Sequence, residues 1–215
     1  IVLPTNLQEN LAFLRGWQQF FHGDSFVYDY PLGRAHYGDF GYVHIARVIS
    51  SDIKQLHKMG LDGYISCQEL RVSSPNALPN YVMGYTLFDE SADPQALIQE
   101  YFTAAYGERA EQVLSYLNEL STLSSCDYLN GKGPRTDPAI AHRMEQISQL
   151  CQNSLPTPST DGSPLFWEIL QYHREYILVL SRAMGALARG DSQQAAAGWY
   201  EMRELICKNE LKYQP

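Results

Sequence analysis

Residues 58–69 read KMGLDGYISCQE, and the order of residue types in this stretch decides how the chain is folded. Lys58 and Met59 close a helical pattern, Gly60 supplies the left-handed stop that ends helices, and residues 63–68 form a short apolar run bounded by polar groups. A helix, a glycine cap, a strand and then an acidic residue at the strand's carboxyl end is the order in which α/β barrels present their functional groups. Residues 25–30, SFVYDY, repeat the layout one unit earlier, following a helical pattern and ending on Asp29 and Tyr30. Two such units predict a small piece of a parallel sheet with helices between its strands.

Helical spacing extends outward from these two strands. Leu7, Leu11, Leu14, Trp17 and Phe20 predict a helix over 6–21, and Ile45, Val48, Ile49, Ile53 and Leu56 predict one over 43–59. Between them lies 31–42, PLGRAHYGDFGY, a glycine-rich loop with four rings at the strand's carboxyl end, where barrels keep ligand contacts. Residues 80–88, NYVMGYTLF, read as helix in preference to strand, with Tyr81, Tyr85 and Phe88 on one stripe.

From Asp93 onward the character is helical throughout. Asp93-Pro94, Asp137-Pro138 and Ser163-Pro164 each read as a capping residue followed by proline in the first turn. They predict helices over 94–106, 138–153 and 164–189, with a further one over 108–124 and a last one after Gly190 on the stripe Ala195, Trp199, Met202 and Ile206. The expected fold class is therefore α/β followed by all-α, mostly helical overall: partial (β/α) barrel-type units over 1–90 and a C-terminal antiparallel helical bundle over 91–215.

Charge and composition narrow the partners. At 215 residues with a formal net charge of −8 and no cluster of Lys or Arg, the chain lacks the concentrated positive charge that a nucleic-acid backbone or an anionic membrane surface requires. The longest apolar-looking segment carries Arg174, Glu175 and Arg182, which are costly in a bilayer, so no membrane partner is expected. Fifteen tyrosines tilt the expectation toward polar ligands that can both stack and hydrogen-bond. Cys67, Cys126, Cys151 and Cys207 are too scattered for a CxxC site; they read as buried thiols, with a disulfide open in an oxidising compartment. The six histidines show no metal-binding spacing and no nucleotide-binding glycine motif occurs, so neither a metal nor another cofactor is expected. The chain opens on Ile1 without a Met, which reads as a piece of a longer polypeptide.

If the two strands are parallel neighbours, about 5 Å apart, Asp29 and Glu69 stand at one edge and can converge on one ligand. Paired carboxylates about 5–9 Å apart are what glycoside hydrolysis requires, one as general acid and the other as base or nucleophile. Asp29 and Glu69 are thus the candidate catalytic pair, and Asp29 can equally serve as a backbone cap. Tyr30, His36, Tyr37 and Gln68 are the candidate substrate-binding residues, because rings stack on the apolar faces of sugars while amides take their hydroxyls. Strand alternation puts Tyr28 and Tyr30 on one face and Val27 and Asp29 on the other, so one set alone can point into a barrel.

The segments FVYDYPLG, ARVISSDIKQLHKMGLDGYISCQE, LPNYVMGYTLFDESADPQALIQEYFTAAYG and AEQVLSYLNEL together resemble bacterial proteins carrying domain of unknown function 4838. The resemblance covers about the first 120 residues and, more loosely, the helices that follow. It implies the last strands of a glycoside-hydrolase-type barrel leading into a helical domain, a carbohydrate partner, an extracellular or periplasmic setting, and a carboxyl-terminal position in a longer chain. It transfers no catalytic assignment. Where that pattern carries Trp, this chain has Phe88 before Asp89. The expected function is a carbohydrate-active protein of glycoside hydrolase type, completed by upstream polypeptide or by a second copy. The alternative is a non-catalytic helical binding or scaffolding module.

Overall fold

The structure is a computed structural model that describes residues 2–32, 38–67 and 75–213. It is mostly helical with one small parallel sheet: α1 (Leu7–Trp17), β1 (Phe26–Asp29), α2 (Val43–Leu56), β2 (Gly63–Ser66), α3 (Leu78–Phe88), α4 (Pro94–Tyr106), α5 (Ala110–Leu123), α6 (Cys126–Leu129), α7 (Pro138–Asn153), α8 (Pro164–Arg189) and α9 (Ser192–Tyr213). β1 and β2 pair in parallel with Phe26 opposite Gly63 and Asp29 opposite Ser66. The intervening α2 makes this a β-α-β unit, the form in which parallel neighbours are ordinarily connected.

Local signals start and stop the helices. Asp93 accepts the Gln95 N–H at 3.0 Å and Asp137 accepts the Ala139 N–H at 2.8 Å, so both act as caps ahead of a first-turn proline. Ser163 departs from that expectation: α8 begins at Pro164 without a side-chain cap, and the Ser163 N–H donates instead to the Ala105 carbonyl at 2.9 Å. A short 3-10 turn, His57–Met59, finishes α2 before Gly60 reverses the chain at φ 72°, and Gly190 ends α8 at φ 84°.

Packing directions follow from contacts between helix ends. The Asp137 N–H at the start of α7 donates to the Ala188 carbonyl near the end of α8, and Arg174 Nε donates to the Cys151 carbonyl near the end of α7. These two helices therefore run antiparallel. α9 returns along α8 in the same manner, with Lys212 pairing with Glu168 and the Tyr213 ring stacked on Tyr172 at 4.4 Å.

One large hydrophobic cluster draws Phe40, Val43 and Ala46 together with Leu78 and Val82 of α3 and the inner faces of α4, α5, α7 and α8. Phe102, Tyr106, Leu117, Met144 and Leu170 are fully enclosed in it. A smaller cluster of Leu32, Ile49, Ile53 and Met83, with Ile45 and Tyr64 packed against it, sits between the sheet and the α2–α3 pair.

Three apolar stripes differ from the expected ones. α3 buries Leu78, Val82, Met83 and Thr86, whereas Tyr85 is exposed and Phe88 is 91% exposed. The aliphatic side of that helix meets α2 and outcompetes the aromatic stripe for the core. α9 buries Met202 while Trp199 is 58% exposed, and α1 buries none of its residues.

Candidate functional site

β1 ends where Pro31 interrupts it, and its final residue carries a carboxylate. Asp29 Oδ1 accepts the Tyr30 N–H at 2.7 Å and Oδ2 accepts the Tyr64 hydroxyl at 3.2 Å. The parallel register puts Val27 beside Tyr64, and alternation carries Asp29 to the same side, the one that faces α2. Strand periodicity thus resolves the two faces: Asp29 lies on the helix side and Tyr28 on the opposite side.

On the helix side, Asp29 lines a groove of about 270 Å³ with Val27, Tyr30, Ile49, Asp52 and Tyr64. Asp52 comes from α2. Partial burial raises its carboxyl above the usual carboxylate range, and the negative charge of Asp29 raises it further. The Tyr64 hydroxyl is also held in its protonated form, first by burial and then by the Asp29 charge beside it. The groove combines an aliphatic wall, two carboxyl groups and a phenol that donates to one of them.

The opposite face is open. Tyr28 and Tyr30 meet edge to face at 5.3 Å and are 55% and 57% exposed, with Phe26 and Ile65 exposed beside them. The neighbouring side chains of Tyr30 and then Cys67 hold the Tyr28 proton on. Tyr30, just past the end of β1, also lines the Asp29 groove, so a ring and a carboxylate border one space and can stack an apolar ligand face and accept hydroxyl protons.

Two of the six residues singled out in the sequence, Asp29 and Tyr30, therefore meet at one groove. Glu69, Gln68, His36 and Tyr37 lie outside the described residues. Sequence reasoning missed Asp52 and Tyr64. Asp52 had a signal, because it adjoins the stripe Ile45, Ile49, Ile53 and Leu56 on the side of α2 that turns toward the strands. Tyr64 had only strand alternation to place it.

A second group that sequence reasoning missed anchors the chain beyond β1. The Ser124 hydroxyl accepts the Phe40 N–H at 2.9 Å, the Ser121 hydroxyl accepts the Val43 N–H at 3.3 Å, and Asn76 Nδ2 donates to the Gly41 carbonyl at 3.4 Å. Asp39, 4% exposed, accepts the Ile45 N–H at 2.8 Å and so caps the first turn of α2 from a position upstream of Tyr42. His173 of α8 is buried, and its Nδ1 finds no hydrogen-bond partner. Its complete burial pushes its pKa down to about 3. Residues 38–43 are thereby fastened to the end of α5 and to Asn76 by polar contacts.

Among the described residues, no group of three or more His, Cys, Asp or Glu side chains is placed to hold a metal ion. No helix among them is long and apolar enough to cross a membrane. The chain matches no family model, no curated protein and no solved structure.

Proposed function

We propose that this protein is carbohydrate-active and binds an oligosaccharide at the carboxyl edge of the β1–β2 pair. The observation that carries the reading is the Asp29 carboxylate at the end of a parallel strand, beside the exposed Tyr30 ring and the Tyr64 hydroxyl. A sugar ring would lay its C–H face on Tyr30 while its hydroxyls donate to Asp29, the division of labour by which few polar groups orient a ligand in a largely apolar groove.

In its finer form, the reading makes β1, α2 and β2 part of a glycoside-hydrolase-type barrel, in keeping with the resemblance to domain of unknown function 4838. Asp29 and Glu69 then serve as the carboxyl pair of glycoside hydrolysis. Gln68, His36 and Tyr37 complete the substrate contacts. Two strands do not close a barrel, so further strands would come from a longer form of this polypeptide or from a second copy; the latter would register as a dimer in light scattering.

A non-catalytic helical binding module is the second reading, favoured by the exposed Trp199 and Tyr200 on α9. A thermal-shift titration against a panel of neutral, uronic and N-acetylated oligosaccharides separates the two. A ligand at one hundred times its Kd stabilises by about 2.7 kcal/mol, roughly 5–10 °C for a chain of this length. A selective rise of that size supports carbohydrate binding, and a flat panel supports the scaffolding module. Glu69→Gln and Asp29→Asn then divide binding from hydrolysis, since loss of turnover with binding retained marks the catalytic pair.

A further inference from the structure

We draw no further inference here: the strongest candidate, the exposed apolar surface of α1 formed by Leu7, Phe13 and Trp17 with Phe20 just beyond the helix, is an unpartnered face, and nothing in the structure shows what covers it.

Discussion

Asp52 of α2 and Asp29 of β1 line the same groove, and the charge on Asp29 makes it harder for the partly buried Asp52 to ionise. An acid whose folded-state pKa is raised binds its proton more tightly in the native state than in the unfolded chain. Its ionisation therefore costs stability, and that cost grows as pH rises through the carboxylate range.

Replacing Asp52 by Asn removes this cost. Asp52→Asn is expected to raise Tm at pH 7 by no more than about 4 °C, because solvent screening keeps partly exposed charges below about 1 kcal/mol. The gain should vanish below about pH 3.8, where Asp52 is protonated in both states. A variant that loses stability at pH 7 while keeping it in acid would show that Asp52 is held by a favourable partner instead.

His173 has the opposite linkage. Its folded-state pKa lies at about 3, below its ordinary value, so the native state holds fewer protons than the unfolded chain between those limits. Its contribution to stability is complete above about pH 6.5 and declines as pH falls toward 3. Urea denaturation across that range should show a steeper acid loss for the native sequence than for His173→Gln. Equal slopes would mean that the imidazole is hydrated in solution.

Gly41 lies against α5, and a Cβ added to it would collide with the Leu117 carbonyl and crowd the Ser121 hydroxyl. Backbone cannot retreat as a flexible side-chain tip can. Gly41→Ala should therefore destabilise by about 1–3 kcal/mol, with the loss read from the urea midpoint at unchanged m-value. An unchanged midpoint would place residues 38–43 away from α5.

Much of this architecture was legible because its signals are local. Asp137 with Pro138 marks the start of α7, Pro164 and Gly190 bracket α8, and the glycine at position 60 closes the turn after α2, each through the conformational limits of one or two residues. The parallel pairing of β1 with β2 also follows from the strand-helix-strand order. What spacing could not settle is which side of a helix wins the core. Tyr81, Tyr85 and Phe88 form a regular stripe on α3, yet Leu78, Val82 and Met83 fill the space against α2, and that competition is decided by the neighbouring helix.

The candidate site was legible in half of its logic. Asp29 and Tyr30 were accessible because a strand's carboxyl end is a fixed address. Asp52 and Tyr64 reach the same groove from α2 and β2, and only the register Val27 to Tyr64 brings them there. The attachments made by Asn76, Ser121 and Ser124 span up to 84 positions of sequence, so no local pattern announces them.

Isothermal titration calorimetry of the native chain and of Tyr30→Ala, with the oligosaccharide selected by the thermal-shift panel, tests carbohydrate binding at this sheet edge most directly. Measurable binding is expected, weakened about tenfold or more by Tyr30→Ala, equivalent to at least about 1.4 kcal/mol, with the fold unchanged by circular dichroism. Binding of equal strength in both proteins, or no saccharide heat in the native chain, would contradict it.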